Sequence, residues 1–215
     1  MIDKAWAAGI PHLIFTGGEP TLRDDLIELL RFAEDRGQVT GLISDGLRMS
    51  EPDYLESLLQ SGLDHMMMIF NPANEESWKA LGSIIPADLY TNVHLTVTPE
   101  NLPEITSLFR KLYDQGVRSI SLSASDLSTR MVLTALRDVA ADIGLSLVWD
   151  LPVPYSASNP ISVEIEDNEE TVEGAGQAWL YVEPDGDVLP AQGVNRILGN
   201  MLTDDWGVIK KSLTG

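Results

Sequence analysis

The chain has 215 residues, 44% of them hydrophobic, enough for one large domain or for one domain with a small appendage. Its 14 basic residues stand against 33 acidic ones, a net charge of −19, and such a surface repels nucleic acid and anionic membranes alike. It contains no cysteine, which excludes a disulfide scaffold and any zinc or iron–sulfur site built on its own thiolates.

The opening DKAWAAG reads as the last turns of a helix whose preceding strand is missing, or as a helix that covers a sheet edge. No positively charged segment precedes a long apolar run there, and no window reaches the ~18 apolar residues of a membrane span, so the expected location is cytoplasmic. Residues 12–16 (HLIFT) form a strand-like run ending in Gly-Gly. Residues 24–36 place Leu26, Leu29, Leu30 and Ala33 at helical spacing, and Gly37 closes that element. Residues 39–43 read as a strand, followed by the turn signal Asp45-Gly46. Ser50 is the expected N-cap of the next helix, with Pro52 in its first turn and Leu55, Leu58 and Leu59 as its stripe.

The alternation continues. Strands are expected at 64–70, 92–97, 117–122 and 145–149. Between them lie a helix carrying Trp78 and Leu81, one at 101–115 beginning near Asn101, and one at 128–143. Pro103 falls in a first turn, where a missing N–H costs little. The six strand candidates are apolar-rich rather than strictly alternating, the mark of βαβ units and a parallel sheet with covered faces. Periodicity leaves a doubly wound sheet and an open (β/α) barrel both standing.

Near residue 150 the composition changes. Residues 151–160 hold three prolines and read as an extended linker, and 163–173 are a run of acid. Residues 178–190 place two short strands around Asp185-Gly186, a hairpin signal. The expected division is a main domain at 1–150 and an appended module at 151–215, too poor in apolar residues to fold alone.

The strongest local signal is TGGEPTLRDD at 16–25, between a strand and a helix. Ligands of parallel α/β folds bind beyond the C-terminal strand ends, where this loop falls. Gly17 and Gly18 allow close backbone approach, Glu19 offers a carboxylate suited to an ammonium group, and Pro20 stiffens the turn. An ordinary tight turn with a surface glutamate has the same residues. Neither GxxxxGK[ST] nor GxGxxG is present.

FTGGEPTLRDDL resembles the second-strand motif of radical S-adenosylmethionine (SAM) enzymes, GLISDG at 41–46 resembles their third-strand end, and YLESLLQSGLDHMMMIF at 54–70 the next helix and strand. The similarity runs through about residues 1–150 and implies a partial (β/α)6 TIM-like barrel lacking its first strand, with a small C-terminal β-hairpin extension. GAGQAWLYVEPDGDVLPAQGVNRILGNMLTDDWGVI at 174–209 is similar to the auxiliary-cluster (SPASM-like) extension of many members, with its "pDGdVyPC…lGN" pattern. The resemblance implies SAM as cofactor, its amino group bound by the Gly-Gly-Glu-Pro loop, and in intact relatives a [4Fe–4S] cluster that reductively cleaves SAM to a 5′-deoxyadenosyl radical.

The departures carry equal weight. The family's CxxxCxxC loop is absent, and the expected Pro-Cys of the extension is Pro190-Ala191. A missing N-terminal segment accounts for the first gap and not for the second. The expected function is therefore the core of a radical-SAM-like enzyme, inactive without the cluster-binding segment, acting in its parent form on an unknown small molecule or peptide. The alternatives are a degenerate SAM- or small-ligand-binding or scaffold module, and a hydrolase or transferase that uses no metal or a metal not held by cysteine.

The expected cofactor-binding residues are Gly17, Gly18, Glu19 and Pro20, then Ser44 and Asp45, Asn71, Thr96 and Ser121, with Thr98 and Ser123 near the same strand ends. No metal ligands are expected. His12 and His65 start their strands, toward the face opposite this site, and His94 lies inside a strand, so spacing does not bring the three together at one strand end. Met66-Met67-Met68 reads as a buried strand, and Asp185 and Asp187 as turn-setting residues. Losing a first strand exposes an unpaired edge, which a second copy or an N-terminal element is expected to cover.

Overall fold

The computed structural model describes residues 1–147, 176, 178–192, 194 and 196–213. In chain order these form α1 (Ile2–Ala7), β1 (His12–Phe15), α2 (Leu26–Glu34), β2 (Val39–Ser44), α3 (Pro52–Leu59), β3 (His65–Ile69), α4 (Glu75–Ile84), β4 (Tyr90–Val97), α5 (Ile105–Asp114), β5 (Ser119–Ala124), α6 (Leu127–Arg130), α7 (Leu133–Ile143) and β6 (Ser146–Leu147). Then come β7 (Tyr181–Val182), β8 (Asp187–Leu189), β9 (Gly199–Asn200) and α8 (Trp206–Leu213). The linker at 151–160, the acidic run at 163–173, the end of the strand expected at 145–149 and the boundary at 150/151 lie outside the described residues. No described helix is long and apolar enough to cross a membrane.

Two compact units result. The larger holds residues 12–147. Its six strands pair in parallel and in sequence order, β1 through β6. A doubly wound sheet reverses its strand order at a switch point, whereas a barrel advances one strand at a time. The order here never reverses, which settles the architecture as a partial TIM-like barrel.

Parallel partners share a sheet face. Leu42, Met66, Met68, Val93, Leu95, Val97 and Ile120 bury one face in a continuous core with Leu26 and Leu30 of α2, Leu58 of α3, Leu81 and Ile84 of α4, and Phe109 and Leu112 of α5. Each such side chain contributes about 1.5–3 kcal/mol by leaving water. The methionine run is a buried strand.

The other face differs from the sequence expectation. β4 and β5 alternate strictly: Asn92, His94 and Thr96 face Ser119, Ser121 and Ser123 across the pairing, and all but Ser123 are buried. The apolar half of each strand packs under helices, and the polar half is satisfied between the strands.

Local boundaries also moved. Ser50 does not cap α3. Its hydroxyl donates to the Leu47 carbonyl at 2.8 Å, closing a 3-10 turn at Leu47–Ser50, and Glu51 becomes the N-cap without a side-chain bond. Asn101 binds the Thr98 N–H and the Thr96 carbonyl, so α5 starts only at Ile105, after a 3-10 turn. The helix expected at 128–143 breaks in two. Asp126 caps the first piece in a capping box with Thr129, and the Ser128 hydroxyl and the Thr129 N–H lower its carboxyl to about 2.

The smaller unit contains residues 1–11 and those described from 176 onward. Lys4 of α1 donates to the Asp204 carbonyl at 2.7 Å. β7 and β8 form the expected antiparallel hairpin, with Gly186 at φ +94° in its turn and the Asp187 N–H donating to Asp185. A third strand, β9, pairs with β8, and α8 follows. Neither was legible in the sequence. Val188, Leu189, Ala191, Leu198, Met201 and Ile209 are buried here, with the Ala191 methyl where the resembling pattern has cysteine.

Candidate functional site

β1 ends at Phe15, and the chain turns through Gly17 at φ +146°, a conformation that glycine alone adopts without strain. A Cβ added at Gly17 or Gly18 meets nothing within 4 Å, so the backbone there stands open to a ligand. Glu19 follows as the N-cap of a 3-10 turn at Pro20–Leu22, with Pro20 buried in its first position.

The Glu19 side chain folds back. Its Oε1 accepts from the Thr21 N–H at 2.9 Å, the Thr21 hydroxyl at 2.6 Å and the Ser44 hydroxyl at 2.8 Å. Its Oε2 accepts from the Asp45 N–H at 2.8 Å. One carboxylate therefore ties the loop after β1 to the end of β2. Ser44 is nearly fully buried, and its hydroxyl also accepts from the Gly46 N–H at 2.9 Å. Arg48 reinforces the clamp: it donates to the Thr21 carbonyl and lies over the Tyr54 ring, 4.0 Å from its centroid.

Asp45 stands beside this clamp, accepting from the Leu47 N–H at 2.9 Å. Burial pushes its carboxyl up, the Leu47 N–H pulls it back, and the neighbouring Glu19 carboxylate pushes it up further. Two acids side by side at a strand end repel each other, and a cation relieves both. Since the folded pKa is raised, folding is favoured while Asp45 is protonated, below the ordinary carboxylate range, and that contribution is lost as the pH rises through the raised value. Asp45→Asn keeps the acceptor for Leu47 and removes the repulsion. It is expected to raise the urea midpoint at pH 7 but not at pH 3, and to weaken binding of a cationic ligand.

The other expected residues fall into separate settings. Asn71 is exposed and accepts from the Ala73 N–H at 3.0 Å, forming the turn into α4. Thr98 pairs with Asn101 in the loop after β4. Thr96 and Ser123 meet at 3.1 Å, and Ser121 receives Asn92 Nδ2 at 3.1 Å. His94, not singled out as a site residue, bridges these: Nδ1 lies 2.8 Å from the Ser121 hydroxyl and Nε2 3.0 Å from that of Ser123. Ser119 donates to Asn92 Oδ1 at 3.0 Å. The signal was present, as period-two polar residues in NVHLTV and SISLSA.

The structure thus brings together Glu19, Ser44 and Asp45 as one group, and Asn92, His94, Thr96, Ser119, Ser121 and Ser123 as another. Glu19, Asp45 and the open Gly-Gly backbone fit a ligand with an ammonium or sulfonium centre. A thiolate-held cluster does not fit, because none of the 215 residues is cysteine.

A parallel barrel of this kind, with a Gly-Gly-Glu-Pro loop at the C-terminal end of its first described strand, places the chain in the class of partial TIM-like α/β folds. The sequence model of the Radical SAM superfamily matches residues 1–118, and the chain belongs to that superfamily. The PqqA peptide cyclase of Gluconobacter oxydans (strain 621H) is 25% identical over 227 residues, which cover 92% of this chain and 61% of that protein. Two crystal structures of Streptococcus suis SuiB share the fold at 14% identity. The one bound to S-adenosylmethionine gives a TM-score of 0.68 and the one bound to precursor peptide SuiA gives 0.69, each covering 97% of this chain and 56% of that one. The chain therefore spans about three fifths of the length of these relatives.

Proposed function

We propose that this chain binds S-adenosylmethionine at the loop after β1 and acts as the ligand-holding core of a radical SAM fold whose own residues cannot assemble the reducing cluster. The observation that carries this reading is the Glu19 carboxylate, fixed by Thr21, Ser44 and Asp45 beside the open backbone of Gly17 and Gly18. Three donors on Oε1 fill that oxygen, whereas Oε2 has one partner among these bonds and keeps acceptor capacity for an ammonium N–H. Asp45 adds a second negative charge for the ammonium or sulfonium. Ser44 acts through Glu19, holding it in place.

In relatives equipped with a cluster, SAM supplies a 5′-deoxyadenosyl radical that takes hydrogen from a substrate. This chain's residues contribute binding and orientation only. A peptide is the partner class we favour. A peptide cyclase among the relatives and a precursor-peptide complex among the structures that share the fold support it.

Isothermal titration of the chain with SAM tests the binding. Saturable binding that weakens at least about tenfold in Glu19→Gln supports it, and the absence of heat removes it in favour of a scaffold held together by the same clamp. Anaerobic reconstitution with iron, sulfide and a reductant is expected to yield no 5′-deoxyadenosine above a protein-free control. Turnover would overturn the assignment of this chain as a core without its own cluster.

A further inference from the structure

At the opposite end of the strands from Glu19, the pairing register assembles a second group of side chains. β2 lies between β1 and β3, and Gly41 is in register with Ile14 on one side and His65 on the other. Across that glycine, His12 Nε2 and His65 Nε2 share a hydrogen bond at 3.2 Å, whose proton a bound ion would displace, with the rings edge to face at 62° and their centroids 4.8 Å apart. The space exists because residue 41 has no side chain. An added Cβ would stand 2.4 Å from His65 Nε2 and 2.7 Å from its Cε1. Gly41 has no positive φ, so its backbone does not require glycine, and the His65 imidazole does. A glycine inside a strand marks a close approach of this kind.

We infer that His12 and His65 form a two-imidazole site for one borderline first-row divalent cation, of the class of Zn2+, Ni2+ or Cu2+. Two nitrogens bound at 2.0–2.1 Å to a tetrahedral zinc ion stand about 3.3 Å apart, and the observed separation matches. Imidazole is the protein ligand these metals share. Metal binding needs both rings neutral. Burial lowers the pKa of each, His12 lowers that of His65 further, and the nearby Asp64 carboxylate raises both. Asp64 itself accepts from the Thr40 N–H at 2.7 Å, which holds it beside the pair. Among the described residues no group of three or more His, Cys, Asp or Glu gathers around a common point. Two protein ligands therefore hold the ion, and water or a small molecule fills the other positions. The inference is independent of SAM binding, since it uses none of the residues around Glu19.

The test titrates the full chain with Ni2+ and Zn2+ at pH 7.5 and physiological salt, with excess Mg2+ to occupy the acidic surface. One equivalent is expected to bind, with affinity falling at least about tenfold in His12→Ala and in His65→Ala. Gly41→Ala removes no ligand, yet it is expected to weaken binding as much, by displacing the His65 ring. Electron paramagnetic resonance of the Cu2+-loaded chain is expected to show two coupled imidazole nitrogens, and one in each histidine variant. Absent binding, unchanged affinity in either histidine variant, or wild-type affinity in a folded Gly41→Ala chain overturns the site. If Gly41→Ala fails to fold, the two histidine variants and the copper spectrum decide alone. His12 lies near the surface at the start of an edge strand, where truncation leaves the core intact.

Discussion

Glu19→Ala is expected to lower the unfolding free energy by about 2–4 kcal/mol and to remove SAM binding below detection. A carboxylate that accepts N–H and O–H donors makes charge-assisted bonds, each worth about 1.5–3 kcal/mol. Truncation deletes four such bonds at once. It also leaves the hydroxyl of the nearly buried Ser44 without its acceptor, and the Thr21 and Asp45 N–H groups without theirs. Relief of the repulsion on Asp45 offsets part of this, which keeps the net loss below the sum. Urea unfolding measures it. The decisive comparison is a double-mutant cycle with Ser44→Ala. The two side chains meet at 2.8 Å, so their effects are expected to be non-additive by at least about 0.5 kcal/mol. Additive losses would mean that the contact contributes nothing and that the loop is held by other means.

The strand–helix alternation was legible because each element has its own periodicity and its own stop signal, as in Leu26, Leu30 and Ala33 followed by Gly37. The loop at Gly17–Pro20 was legible because glycine and proline state backbone requirements directly. The partners of Glu19 were not. Ser44 and Asp45 lie 25 and 26 residues away, and only strand pairing brings them within reach. The same limit hid the histidine pair, 53 residues apart, whose meeting depends on register across a third strand. Ser50 was misread for a different reason. A serine before Pro52 has the composition of an N-cap, but the preceding left-handed Gly46 starts a 3-10 turn that claims the hydroxyl first.

The alternation in β4 and β5 has the second large consequence. His94→Leu is expected to destabilise the larger unit by about 2–4 kcal/mol, although it replaces a polar residue in a buried position with an apolar one. The imidazole is almost fully buried and engages Ser121 through one nitrogen and Ser123 through the other. Each ring nitrogen meets a hydroxyl, and a hydroxyl can donate or accept, so both contacts are made in either tautomer. Leucine strands both partners. Each retains a second contact, Ser121 with Asn92 and Ser123 with Thr96, which limits the loss. The contrast lies in removing the partners as well. His94→Leu combined with Ser121→Ala and Ser123→Ala removes the imidazole together with its two hydroxyl partners, but it also takes the Ser121 acceptor from the buried Asn92 Nδ2 and the Ser123 contact from Thr96, so only part of the stability is expected to return. Chemical denaturation of the single and triple variants checks this, and a triple variant less stable than the single one would show that the contacts to Asn92 and Thr96 matter more than those to His94.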